Sequence, residues 1–306
     1  MSTGPVLGIV GPTATGKSEL AVALAQQLGG EIVNADSMQL YTGMDIGTAK
    51  LPPSERGGIP HHLLDVWPVT KSAAVAEYQA LARAQIAEIH DRGRLPVLVG
   101  GSGLYLRGAL DRLEFPGESP TIRARLAAEL HAVGAPALHA RLARHDPAAA
   151  AAILPTNGRR IVRALEVIEL TGGPFTATMP GFDSVYDTVQ LGLDRTDLDE
   201  RVEQRVDRMM DHGFLDEVRA LLASGLRGSP TAGKALGYAQ LLAVLDDAGE
   251  LCGDLVGAVA DTVRATRRFV RRQRSWFRRD PRVAWLDAAA PGLVERAHAA
   301  LPPTLG

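Results

Sequence analysis

Gly11, Gly16, Lys17 and Ser18 stand in the spacing of a phosphate-binding loop, in which the second glycine is followed directly by lysine and a hydroxyl residue. The chemistry follows from the residue types. Glycines let backbone N–H groups turn inward around phosphate oxygens, and the start of a following helix adds partial positive charge. The loop Gly11, Pro12, Thr13, Ala14, Thr15, Gly16, Lys17 and Ser18 is therefore expected to cradle phosphate, with Lys17 on its terminal group and Ser18 as a ligand for Mg²⁺. An ordinary glycine turn capped by Ser18 is the bland alternative. Lysine scarcity weighs against it, since Lys occurs only at 17, 50, 71 and 234 while arginine is abundant.

Elements must place that loop. Residues 6–10 are a short apolar run ended by the glycines and read as a buried strand. Leu20, Leu24 and Leu28 then recur every fourth residue up to Gly29-Gly30, which predicts a helix and its stop. Residues 31–35 predict a second strand with Asp36 at its carboxyl end, 38–60 is loop-rich, 73–91 predicts a helix closed by Gly93, and 95–99 is another strand running into Gly100, Gly101 and Ser102. This alternation predicts the α/β class, a P-loop NTPase-like parallel sheet flanked by helices. Ligands of such sheets gather at the carboxyl ends of the strands. The phosphate loop, Asp36 and Ser102 all fall there, so one site can contain all three.

The 306 residues are 46% apolar and 22% charged, which suits a globular protein with a substantial core. The apolar runs are too short and too often broken to span a membrane, and the start lacks a signal-peptide pattern, so a cytoplasmic protein is expected. Cys252 is the sole cysteine, which excludes an intrachain disulfide and a thiolate metal cluster. The net charge of −2 conceals nine arginines and two aspartates between Asp261 and Arg282, a local +7 suited to a polyanion. Within that segment Arg264, Arg268, Arg271 and Arg278 predict one helical stripe, beside Phe269 and Trp276 on another. From about 113 to 185 the chain turns Ala-, Arg- and Leu-rich with helical spacing. The expected organisation is a core domain of 1–112 with 188–306, interrupted by an all-helical insertion of 113–187; residues 188–193 return to the sheet, and helices follow to about 279.

A phosphate loop names a ligand group and not a reaction. The strand 95–99 ends in glycines where a nucleotide hydrolase would place an Asp for Mg²⁺, and no Asn-Lys-x-Asp guanine reader is present. The motifs taken together resemble the tRNA dimethylallyltransferases. The loop itself, Asn34-Ala35-Asp36-Ser37-Met38-Gln39-Leu40-Tyr41, Gly43-Met44-Asp45-Ile46-Gly47-Thr48-Ala49-Lys50 and Pro60-His61-His62-Leu63-Leu64-Asp65 carry the resemblance in the first part. It continues through Val99-Gly100-Gly101-Ser102-Gly103-Leu104-Tyr105, the stretch from Asn157 to Val167, Ala235-Leu236-Gly237-Tyr238 and the stretch from Thr266 to Arg278. The zinc-finger tail of eukaryotic members is absent, so the chain resembles a bacterial form.

That resemblance implies transfer of a dimethylallyl group from its pyrophosphate to N6 of the adenosine 3′-adjacent to a tRNA anticodon. Its partners would be the tRNA anticodon stem-loop and dimethylallyl pyrophosphate, with Mg²⁺, no membrane and no obligate protein partner; a monomer is expected. Asp36 would be the general base, since a carboxylate accepting the amine proton localises its lone pair; a helix N-cap is the alternative reading. Thr13, Lys17 and Ser18 would hold the pyrophosphate, and Arg219 resembles a family arginine reaching the same group. Ser102 stands where many members have Thr. Asp36, Ser37, Met38, Gln39 and Ser102 would meet the target base, and Lys234, Leu236, Gly237 and Tyr238 would line the RNA path, with Tyr238 available for stacking or, as an equal alternative, packed in the core. Arg123, Arg159, Arg160 and Arg163 look like tRNA-backbone contacts. His61 and His62, adjacent and without further ligands, read as a structured loop and not a metal site. A small-molecule or nucleotide kinase, and a non-catalytic RNA-binding module, are the rival readings. A relative acting on free adenine nucleotides would not need the insertion or the basic helix.

Overall fold

The computed structural model describes residues 4–176 and 181–305. The sheet has six strands, all parallel: β1 (Pro5–Val10), β2 (Gly30–Asn34), β3 (His61–His62), β4 (Leu95–Gly100), β5 (Asp187–Asp194) and β6 (Val283–Asp287), in the spatial order β3-β2-β4-β1-β5-β6. Side chains alternate between two buried faces. Leu7 and Ile9 of β1 pack with Ile32, Val97 and Leu191 under α1 (Lys17–Leu28), while Val6 and Val10 pack with Val33 and Leu98 under α2 (Val75–Asp91) and α3 (Gly103–Leu110). The chain thus has the α/β fold that its alternating pattern predicts.

Two strands escape the sequence pattern. His61 and His62 form the edge strand β3 rather than part of a loop, because two residues are too few to show any alternation. Their rings are held by the Ile59 carbonyl at 2.8 Å and the Glu31 carboxylate at 2.7 Å. β6 follows the basic helix and pairs with β5 at the other edge. Gly30, read as part of a helix stop, opens β2, while Gly29 alone caps α1.

The chain divides into two compact units, Met1–Arg112 with Ser184–Gly306, and Leu113–Asp183. Within the first, the chain returns at Ser184, where Asp111 and Ser184 form an isolated antiparallel bridge and Val185 N donates to Leu110 O at 2.7 Å, and it rejoins the sheet at Asp187. Arg282 fastens the junction by donating to Asp111 at 2.7 Å and to Ser184 at 2.6 Å.

The second unit, of which 177–180 lie outside the described residues, consists of α4 (Pro120–His145), α5 (Pro147–Ala152) and α6 (Gly158–Thr171) around Leu126, Leu138, Leu142, Ile161 and Leu165. Gly134, at φ +79°, breaks α4 into two segments just before Pro136. After Ser184 the first unit adds α7 (Leu198–Asp211), α8 (Phe214–Ala223), α9 (Tyr238–Leu242), α10 (Leu255–Phe277) and α11 (Leu293–Ala299). No helix among the described residues is long and apolar enough to cross a membrane.

Candidate functional site

The phosphate loop leaves β1 at Gly11, whose φ of +132° and near contact with β5 demand glycine; a Cβ there would lie 2.3 Å from the Leu193 carbonyl oxygen. Ala14 adopts a left-handed φ of +66°, and Gly16 precedes the first turn of α1 at φ +89°. Thr15 closes the loop by donating to Pro12 O at 2.9 Å, and the Lys17 ammonium also donates to Pro12 O. Arg201, on α7, donates to the carbonyl of Ala14 at 2.9 Å. Burial, and then the nearby charge of Arg205, push Lys17 down to about 8, against the pull of Asp36 and Glu19.

Across from the loop, the ends of β2 and β4 form one wall. Asn34 accepts from Asp36 N at 2.9 Å and donates to Asp36 O at 3.0 Å and Leu63 O at 3.0 Å. Oδ1 of Asp36 accepts from Met38 N at 3.0 Å, so one carboxylate oxygen is fixed in a turn, and Oδ2 takes no hydrogen bond from the described residues. Ser102 accepts from Ser37 N at 3.2 Å and pairs with the Ser37 hydroxyl at 3.2 Å. No helix begins at Asp36, so it caps a turn and not a helix, and its second carboxylate oxygen is left to other partners.

Loop and wall open into one cavity of about 320 Å³ lined by Thr13, Asp36, Ser37, Met38 and Ser102, together with Arg205, Phe269 and Arg272. Lys234, Leu236 and Tyr238 also line it. Arg272 lies over the Phe269 ring, 5.6 Å from its centroid. Residues 47 and 48 form another part of the lining, held by Glu217 of α8, which accepts from the amides of Asp45 (2.9 Å), Ile46 (2.6 Å) and Gly47 (3.1 Å).

Several expected residues are placed elsewhere. Arg219 donates to Gly249 O at 3.0 Å and to Asp216 at 2.9 Å and does not line the cavity. Arg205, one turn beyond Arg201 on α7, lines it instead, its own ionisation depressed by burial and favoured by Asp36 and Glu19. Tyr238 is fully buried, edge-on to Phe214, and its hydroxyl donates to Glu217 at 2.5 Å, so its ring packs in the core and is no free stacking surface. Gln39 turns its amide to the carbonyls of Thr48 and Ala49 and, with Ser18, Asn34 and His61, borders a separate void of about 30 Å³. Gly237, at φ +84°, packs against Phe214.

In the helical unit, Arg123 and Arg163 donate to the buried carboxylate of Glu166 at 2.9 and 3.0 Å, whereas Arg159 and Arg160 are exposed. Sequence reasoning missed Arg201, Arg205, Glu217 and Gln273. Each acts on a partner more than a hundred residues away, and the arginines are hidden in an Arg-rich chain.

Among the described residues no group of three or more His, Cys, Asp or Glu could hold a metal. The donor set still suits Mg²⁺, which takes one or two protein oxygens plus phosphate and water. The Ser18 hydroxyl, in the first turn of α1, would be its protein ligand.

Fold and site together define a P-loop protein in which the phosphate loop and a carboxylate border one cavity. The family model described as IPP transferase matches residues 39–280. A tRNA dimethylallyltransferase of Streptomyces avermitilis is 65% identical over 98% of this chain and 97% of its own length, and that of Thermobifida fusca is 65% identical over 98% and 94%. Among solved structures, a tRNA isopentenylpyrophosphate transferase of Bacillus halodurans superposes with TM-score 0.72 at 39% identity, covering 99% of this chain and 97% of that one. A eukaryotic dimethylallyltransferase acting on tRNA gives TM-score 0.80 at 26% identity, covering 97% and 78%. The chain belongs to the IPP transferase family.

Proposed function

We propose that this protein transfers the dimethylallyl group of dimethylallyl pyrophosphate to N6 of the adenosine 3′-adjacent to the anticodon of tRNA, releasing pyrophosphate. The observation that carries this reading is the cavity shared by the phosphate loop and Asp36. Its size falls within the range of small-ligand sites, roughly 300–1,000 Å³. The close relatives named for this activity, and not for phosphoryl transfer, favour it over the kinase reading.

Lys17, Arg205 and the loop amides hold the pyrophosphate, and their charge stabilises it as the allylic C–O bond breaks. Mg²⁺ on Ser18 would supply further charge neutralisation of the leaving group. Asp36 accepts the proton of N6 as the new C–N bond forms, and its fixed Oδ1 restrains the carboxylate's orientation. Ser37, Met38 and Ser102 border the same space and meet the base, while exposed Lys234 lies on the RNA path. Exposed Arg159 and Arg160, with Arg268 and Arg271 of α10, contact phosphates of the anticodon stem-loop, which makes binding salt-dependent. The reaction takes place where tRNA is, in the cytoplasm.

Asp36→Asn tests the assignment. Donor affinity should persist while prenylation of undermodified tRNA, read as mass gain on the RNA, falls by about 10²–10⁴-fold. Near-normal turnover would remove Asp36 from the mechanism, and phosphate transfer from ATP in place of prenylation would overturn the reaction.

A further inference from the structure

Gln273 lies about one turn from the end of α10 with its side chain buried, 4% exposed, against the carboxyl ends of two adjacent strands. Its Oε1 accepts from Thr13 N of the phosphate loop at 3.0 Å, and its Nε2 donates to Gly101 O at 2.9 Å. The two partners fix the orientation of the amide, since a backbone N–H must donate and a carbonyl must accept. Gly101 is shaped to this contact: a Cβ there would lie 2.2 Å from the Gln273 nitrogen. The adjoining turn of α10 is itself anchored, with Val270 and Phe277 in the core and Arg274 bonded to Asp194 at 2.8 Å.

A continuous path therefore runs from the leaving-group side of the cavity to its base. Thr13 is bonded to Gln273, Gln273 to Gly101, and the next residue, Ser102, to Ser37 beside Asp36. We infer that Gln273 is a positioning residue for prenyl transfer, setting the separation between the pyrophosphate loop and the Asp36–Ser102 wall. This rests on the transferase reading proposed above. The amide suits the task because it offers one donor and one acceptor without charge. Glutamate keeps the acceptor for Thr13 and loses the donor for Gly101, while adding negative charge beside a pyrophosphate. Methionine keeps the length and loses both bonds. Near-attack geometry is steep enough that a displacement of about 1 Å costs on the order of 10²-fold in rate.

Full-length Gln273→Glu, Gln273→Met and Asp36→Asn proteins, and the double variant Gln273→Met with Asp36→Asn, are compared in four measurements. These are thermal melting, affinity for dimethylallyl pyrophosphate by calorimetry, affinity for undermodified tRNA by filter binding, and single-turnover rate with both substrates saturating. In Gln273→Met, both affinities should stay within about threefold while the single-turnover rate falls about 30- to 100-fold. Gln273→Glu should lose rate similarly and bind the donor more weakly through its charge. The double variant should be no slower than Asp36→Asn alone, because Gln273 acts through the placement of that carboxylate.

A rate loss in Gln273→Met matched by an equal loss of donor affinity would make Gln273 a binding residue and overturn the proposal. So would full multiplication of the two rate losses, wild-type rates in both Gln273 variants, or loss of cooperative melting in both. If Asp36→Asn itself turns over normally, the transferase mechanism fails first, and that outcome is distinguishable from a normal rate confined to the Gln273 variants.

Discussion

Lys17 and Asp36 approach each other closely enough for the carboxylate to favour the ammonium, yet burial dominates and brings Lys17 from its ordinary 10.5 down to about 8. Two consequences of opposite sign follow. Between about pH 8 and 10.5 the unfolded chain keeps a proton that the donor-free folded chain has released, so this group's contribution to stability improves as pH rises through that window. The proposed hold of Lys17 on the pyrophosphate requires the charged form, so the dissociation constant of dimethylallyl pyrophosphate should be flat below pH 8 and rise about tenfold per pH unit above it. Calorimetry from pH 7 to about 9.5 checks this through the slope and the proton uptake on binding; an affinity unchanged to the upper limit would contradict it. The two arginines separate just as cleanly. Arg205→Ala should cost about 10²–10³-fold in kcat/KM for the donor, whereas Arg219→Ala, which loses contacts with Gly249 and Asp216, should stay within about twofold.

At the scale of elements, the phosphate loop and the ends of β2 and β4 were legible because glycines and hydroxyls interrupt short apolar runs at strand ends. What holds them was not. Gln273 and Thr13 are 260 residues apart, and Glu217 and Asp45 are 172 apart, so no local pattern announces either contact. β3 has too few residues for a period, and β6 follows a long helix whose arginines dominate the composition around it. Arg205 was hidden for a different reason: α7 has the charged outer face of an ordinary surface helix, and only its packing through Val202 and Val206 against Val263 and Val270 of α10 turns Arg201 and Arg205 to the loop. Glu217 clamps residues 45–47 through their backbone amides. Glu217→Ala leaves three amides and the Tyr238 hydroxyl without their acceptor. It should destabilise the protein by about 2–4 kcal/mol in urea unfolding and raise KM for tRNA with donor affinity unchanged. Weakened donor binding at normal KM for tRNA would show that the loop serves the other substrate.

For the molecule as a whole, the site's geometry lies within the first unit. The phosphate loop, Asp36, Ser102, Arg205 and Gln273 all belong to Met1–Arg112 and Ser184–Gly306. That unit also closes on itself where the chain departs and returns. Asp111 is fully buried between Arg107 at 2.6 Å and Arg282 at 2.7 Å, and the Ser184 hydroxyl shares the same guanidinium. The second unit has its own core and its own buried carboxylate, Glu166. Replacing residues 113–183 with a short Asn-Gly turn should therefore leave a folded core, because Asp111 and Ser184 are already paired as in a hairpin. A single cooperative melt and an affinity for dimethylallyl pyrophosphate within about threefold of the full chain are expected, since the residues proposed to hold the donor are all retained. Prenylation of tRNA should fall by at least about 10²-fold, because the exposed arginines of the insertion, proposed to contact its phosphates, are gone. A shortened chain that modifies tRNA at the normal rate would move RNA recognition wholly onto α10 and the cavity rim. One that folds but fails to bind the donor would show that the insertion helps to shape the phosphate loop.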